Sequence, residues 1–189
     1  MRLLLATRND HKLREFGRLL PSVELEPLRA DLASPAEDGE SYAANALIKA
    51  RAAAAATGRA AIADDSGIEA AALDGAPGVR SARFAGEHAT DAENLAKLRA
   101  QAPPGSRLRY VCAIAHVDPR GLERVFERTT DGTVAAEPRG DRGFGYDPLF
   151  VPDDDDADGR TMAELADEEK DAISHRGRAA RALAEWLTA

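Results

Sequence analysis

The chain has a single cysteine, Cys112, so no disulfide can form within it. That suits a reducing compartment. Only four histidines are present, and no C-x-x-C pair, which argues against a zinc site. Aromatic residues make up 5%. Lysine is scarce: of 25 basic residues only Lys12, Lys49, Lys97 and Lys170 are lysine. An ammonium is a compact point charge suited to phosphate, so those four positions are worth locating. No apolar run is long enough for a signal peptide or a membrane span. The net charge of −8 disfavours nucleic acid and anionic membrane. A soluble cytoplasmic protein is expected. With 189 residues, 44% of them hydrophobic, the chain can bury a full core, and one domain over residues 1–189 is the natural expectation.

Residues 2–6 read as a short buried strand and residues 11–20 as a helix with apolar positions at Leu13, Phe16, Leu19 and Leu20. Residues 23–28 alternate as a strand, and 33–40 form a polar, acidic loop. Ser41 caps a long helix that Gly58 stops. A second central strand, 60–63, ends at two adjacent acids, Asp64 and Asp65. Ser66-Gly67 then reads as a tight turn before a third strand at 68–73. Thr90-x-x-Glu93 and Thr161-x-x-Glu164 have the form of capping boxes, each opening a helix. Residues 108–117 and 123–129 form an expected antiparallel hairpin. Residues 139–147 are a glycine-rich loop, and Ser174 caps a final amphipathic helix. This pattern predicts an α/β fold with a mixed sheet.

The acids at 64 and 65 sit where α/β proteins place ligands, near the end of a central strand. A second acid, Glu37, precedes the long helix. Carboxylates from two loops suit Mg²⁺, which takes few protein ligands and keeps waters or phosphates. A plain turn with Asp as a local backbone acceptor is the alternative. Thr7, Arg8, Asn9, Asp10, His11 and Lys12 follow the first strand and open the first helix, whose free N–H groups suit phosphate. An ordinary capped helix is the competing explanation. Asn45 and Lys49 are four apart and share a helix face. Gly143-Phe144-Gly145-Tyr146-Asp147-Pro148 presents an aromatic ring and a carboxylate from a loop, as a nucleobase site needs. Lys170, His175 and Arg176 lie near the start of the last helix, where cations oppose the dipole and therefore point to function. His116 reads as an ordinary residue of an apolar strand, and 153–156 as a solvated acidic loop.

Together the blocks at 5–15, 36–51, 62–68, 75–86, 143–150 and 168–177 resemble the inosine triphosphate pyrophosphatase family. The resemblance spans nearly the whole chain. It implies an elongated mixed β-sheet with flanking helices, two lobes around a central cleft, and a homodimer. It implies Mg²⁺-dependent hydrolysis of non-standard purine nucleoside triphosphates (ITP, dITP, XTP) to the monophosphate and pyrophosphate. Carried over by position, residues 7–12 resemble the triphosphate-binding segment, and Glu37 and Asp65 resemble metal ligands. Asp65 resembles the proton acceptor and Ser66 a substrate contact. Phe144, Gly145, Tyr146, Asp147, Lys170, His175 and Arg176 resemble the base and substrate pocket. Two positions depart from the family pattern: Arg8 stands where glycine is frequent, and Ala44 where an acid is common. Other readings are a pyrophosphatase for modified pyrimidine or standard nucleotides, or a silent nucleotide sensor.

Overall fold

A computed structural model describes residues 1–29, 31–32 and 34–189. Ala33, the expected first residue of the acidic loop, lies outside them. Six strands form one sheet in the order β2-β1-β3-β4-β5-β6. They are β1 (Arg2–Leu5), β2 (Glu24–Pro27), β3 (Ala61–Ala70), β4 (Arg107–Val117), β5 (Glu123–Val134) and β6 (Phe150–Pro152). Strand β1 runs parallel to both β2 and β3, while β5 and β6 are antiparallel. The expected mixed sheet is therefore present. The α-helices are α1 (Asp10–Leu19), α2 (Tyr42–Thr57), α3 (Asp91–Gln101), α4 (Asp167–Ile173) and α5 (His175–Thr188).

The chain divides into two compact units. The first comprises residues 1–65, 112–128 and 179–189. Its core gathers Leu3 and Leu5 of β1, Phe16 of α1, Ile62 of β3, Ile114 of β4 and Leu183 of α5. Helix α2 carries Ala46, Ala50, Ala53 and Ala54 on its buried side. Alanines leave little side chain between a helix and whatever it packs on, so the polar residues beside them need only a short reach. Ser41 Oγ accepts from Ala44 N at 3.1 Å to cap α2, and Gly58 ends it in a left-handed conformation at φ 65°. Between β4 and β5, Asp118 N donates to Leu122 O at 3.0 Å, and Asp118 Oδ1 accepts from Arg120 N and Leu122 N. So short a connection between neighbouring strands makes the pair antiparallel, since a parallel one needs a crossover of a dozen residues or more.

The second unit comprises residues 66–111 and 129–178. Ile68, Leu98, Tyr110, Phe150, Met162 and Leu165 centre its core. The capping box on α3 is complete: Thr90 Oγ1 accepts from Glu93 N, and Glu93 Oε2 accepts from Thr90 N. Ser174 caps α5 by accepting from Gly177 N at 3.0 Å.

Three expectations are corrected. No turn interrupts the acids: β3 is one ten-residue strand running through Asp64, Asp65, Ser66 and Gly67. Glycine stands at 67 because a Cβ there would lie 2.4 Å from Ser81 Oγ and 2.6 Å from Gly78 O. Close approach of another backbone, not bending, is what this glycine supplies. The box at Thr161 opens no helix. Glu164 Oε2 does accept from Thr161 N at 2.8 Å, but Thr161 Oγ1 donates to Arg139 O, and the stretch is a turn. The helix that follows is α4, where Glu169 Oε2 accepts from Ala166 N. Finally, β5 extends to Val134, well beyond residue 129.

Candidate active site

In the first unit, β3, α1, α2 and the 34–40 loop bring charges together. Asp64 and Asp65 are 1% and 7% exposed. Buried carboxylates are costly unless paired, and each has an ammonium. Lys12 Nζ lies 2.8 Å from Asp64 Oδ2. Lys49 Nζ lies 3.2 Å from Asp65 Oδ1 and 3.0 Å from Glu37 Oε2. Asn45 works in both directions: its Nδ2 donates to Asp65 Oδ2 at 3.2 Å, and its Oδ1 accepts from Gly39 N at 2.8 Å. One side chain thus orients Asp65 and pins the acidic loop. Asn45 and Lys49, one turn apart on α2, both reach Asp65. Burial raises the Asp65 carboxyl above its ordinary range, aided by Glu37 and opposed by Lys49, Lys12 and Asn45. Lys49 is desolvated too, but Asp64, Asp65 and Glu37 outweigh that and raise it.

The start of α1 is already capped. Asn9 Oδ1 accepts from His11 N at 2.9 Å and Lys12 N at 3.2 Å, and Thr7 Oγ1 accepts from Asn9 N. Arg8 donates to Leu32 O, and Arg14 Nη2 lies 2.9 Å from His11 Nδ1. Arg8, Asn9, Asp10 and His11 are exposed, whereas Lys12 is half-buried against Asp64.

In the second unit, the glycine-rich loop and the α4–α5 junction assemble a separate group. Gly143 and Gly145 flank Phe144 at φ 71° and 62°, a region that favours glycine. A Cβ on Gly143 would also strike Asp147 Oδ2 at 2.1 Å. Phe144 faces two cations: Lys170 Nζ is 5.3 Å and Arg176 Cζ 5.5 Å from its ring centroid. Asp147 is a hub. Its Oδ2 accepts from Lys170 Nζ at 2.7 Å and Phe144 N at 3.0 Å, and its Oδ1 from Tyr110 OH at 3.1 Å. Tyr146 is buried, its hydroxyl donating to Ser81 O at 2.7 Å, and Gly145 N donates to Asp91 Oδ2 at 2.9 Å. These two residues brace the loop from behind. His175 and Arg176 are buried in the first turn of α5, and Arg176 Nη2 donates to Ser66 Oγ at 2.8 Å.

Lys170 is not part of the last helix. It lies in the final turn of α4, where a cation suits the dipole. The electrostatic conflict expected at the start of α5 falls on His175 and Arg176 alone. Tyr110 belongs to no motif in the sequence. Its signal was a tyrosine inside an apolar strand, whose buried hydroxyl must find a partner.

The Ham1 family model matches residues 3–186. The chain belongs to the Ham1 family. It is 48% identical to the dITP/XTP pyrophosphatase of Cutibacterium acnes, over 100% of this chain and 97% of that protein. It is 50% identical to the dITP/XTP pyrophosphatase of Mycolicibacterium paratuberculosis, over 98% and 95%. Among solved structures, a HAM1 protein from Coxiella burnetii aligns with a TM-score of 0.86 at 40% identity, covering 100% of this chain and 98% of that one. The nucleoside-triphosphatase, or dITP/XTP pyrophosphatase, of Mycobacterium abscessus aligns with a TM-score of 0.76 at 47% identity, over 97% and 98%. The fold of this Ham1 chain is therefore that of its relatives. Among its described residues no helix is long and apolar enough to cross a membrane.

Proposed function

We propose that this chain hydrolyses the triphosphates of inosine, deoxyinosine and xanthosine to the monophosphate and pyrophosphate, clearing them from the nucleotide pool. The Ham1 membership and the names of its relatives support the reaction class. The observation that carries it here is Lys49, whose ammonium is held at once by Glu37 and Asp65. Two carboxylates that converge on one cation can converge on another.

Those two carboxylates fit Mg²⁺. Their oxygens are hard donors, and no group of three His, Cys, Asp or Glu side chains is arranged for a metal among the described residues. A hard cation that keeps waters and substrate phosphates needs no more. When bound, Mg²⁺ would offset the charge of the triphosphate and of departing pyrophosphate. Asp65, oriented by Asn45, takes the proton of the attacking water or directs its lone pair at the α-phosphorus. Lys12 and Lys49 place positive charge toward the phosphates, and Asp64 holds Lys12 in place. The side chains of residues 7–11, rather than the α1 N–H groups that Asn9 already caps, complete the phosphate contact.

Base recognition is assigned to the second unit. Phe144 offers a ring face for stacking. Lys170, His175 and Arg176 carry N–H donors, which suit the 6-oxo acceptor of hypoxanthine and xanthine and oppose the 6-amino donor of adenine. Ser66, Gly145, Tyr146 and Asp147 fix those groups. The chain acts as a single pyrophosphatase domain, in a homodimer, in the cytoplasm. A pyrophosphate-release assay over inosine, xanthosine, adenosine, guanosine and pyrimidine triphosphates tests this. Orthophosphate as the product, or equal rates on ATP and ITP, would refute it.

A further inference from the structure

We infer that Tyr110 of β4 is a positioning residue for base selectivity, a role that rests on the assignment of base recognition to the second unit. Two contacts of different kinds carry it. The Tyr110 hydroxyl donates to Asp147 Oδ1 at 3.1 Å, and Asp147 in turn accepts from Phe144 N and Lys170 Nζ. The Tyr110 ring stacks on His175, with centroids 4.5 Å apart and planes 10° from parallel. It also stacks on Phe150 at 4.3 Å and 26°. One side chain on a rigid strand therefore touches the loop carrying Phe144 and the helix start carrying His175 and Arg176.

The chemistry keeps the hydroxyl a donor. Burial and the Asp147 carboxylate push Tyr110 well above its ordinary range, so it stays protonated at every working pH. Asp147 cannot donate while ionised. The bond thus has one polarity, and it helps hold the carboxylate that anchors Lys170. Stacked rings at these spacings resist tilting of the imidazole. Site geometry is kept to fractions of an ångström only when such supports are themselves locked. Tyr110 is buried, so its effect passes through His175, Phe144 and Lys170.

Tyr110→Phe removes only the hydroxyl and keeps the stack. Tyr110→Leu removes both. The readouts are kcat/KM for inosine and adenosine triphosphates, inhibition by inorganic tripolyphosphate, which has no base, and thermal stability. Tyr110→Phe should lower the inosine-over-adenosine preference by about three- to tenfold, less than the full worth of one hydrogen bond to a charged group, because the effect reaches the base only through Asp147 and His175. Tyr110→Leu should lower it further. Tripolyphosphate inhibition should hold within about twofold. Arg176→Ala separates the role of Tyr110 from base recognition itself. If it reduces the preference while both Tyr110 variants leave it unchanged, the role of Tyr110 is overturned and base recognition stands. If none of the three changes the preference, the base assignment falls and this inference with it. Equal losses for both nucleotides and for tripolyphosphate would make Tyr110 merely structural. The isosteric Phe variant, which keeps the core filled, carries the test should the Leu variant fail to fold.

Discussion

Arg176 Nη2 donates to Ser66 Oγ at 2.8 Å, and Ser66 is the residue that follows Asp65 on β3. Ser66 thus holds a group assigned to the base. Ser66→Ala should leave the fold intact and loosen the guanidinium. We expect the inosine-over-adenosine ratio of kcat/KM to fall by about three- to tenfold, less than the full worth of one charge-assisted bond, because Ser66 acts on the base only through Arg176. An unchanged ratio in the pyrophosphate-release assay would count against this link.

Asp65→Asn should fold and lose turnover by about 10²–10⁴-fold, since the position is assigned both acid–base work and metal ligation. Asp64→Asn should cost less turnover, because its carboxylate is committed to Lys12. It should instead weaken triphosphate binding, seen as a raised KM. Similar mild losses in the two variants would remove Asp65 from its role.

Activity should vanish on chelation and return with Mg²⁺. The pH profile should report Asp65. Burial raises its carboxyl, so the ionised form is lost at a higher pH than for an ordinary aspartate as the solution is acidified. The acid limb of kcat/KM should therefore lie above the usual carboxylate range at low Mg²⁺. It should move to lower pH as Mg²⁺ is raised, because the metal favours the ionised form. A limb indifferent to Mg²⁺ would separate the base from the metal site.

His116 makes a stability prediction. It is buried in β4, edge-on to Trp186 at 5.0 Å, and its Nδ1 finds no hydrogen-bond partner among the described residues. Burial lowers its pKa below the ordinary 6.5, and Asp118 only partly opposes this. Above 6.5 both states are neutral there and nothing is lost. As pH falls below 6.5 the unfolded chain takes up the proton first, so stability falls until the folded pKa is reached. His116→Phe should flatten that part of the Tm-against-pH curve. Parallel curves for the two proteins would assign the acid sensitivity elsewhere.

Much of the fold was legible because it is written in local rules. Ser41, Thr90 and Ser174 cap as their side chains dictate, and Gly58 ends α2 because it lacks one. Where legibility ended, a distant partner was responsible. Ser66-Gly67 looks like a turn until Ser81 is seen lying against Gly67. Thr161-x-x-Glu164 looks like a helix start until the threonine hydroxyl is seen bonded to Arg139 O. In the site, residue types and spacing picked out Lys12, Lys49 and Asp65. They did not say which ammonium meets which acid. Tyr110 escaped because a tyrosine in an apolar strand gives no hint of the carboxylate, 37 positions away, that its hydroxyl will find.

The lysines carry a practical consequence. Lys12, Lys49 and Lys170 each hold a carboxylate, and Lys97 donates to Phe84 O at 2.6 Å with its ammonium 4.3 Å from the Phe84 ring centroid. The remaining basic residues are arginines, which acylating reagents leave alone. Brief treatment of the native protein with an amine-directed ester should therefore modify its lysine side chains slowly. The positions that do react, mapped by mass spectrometry with and without nucleotide, become a footprint of occupancy, with Lys97 as the internal control.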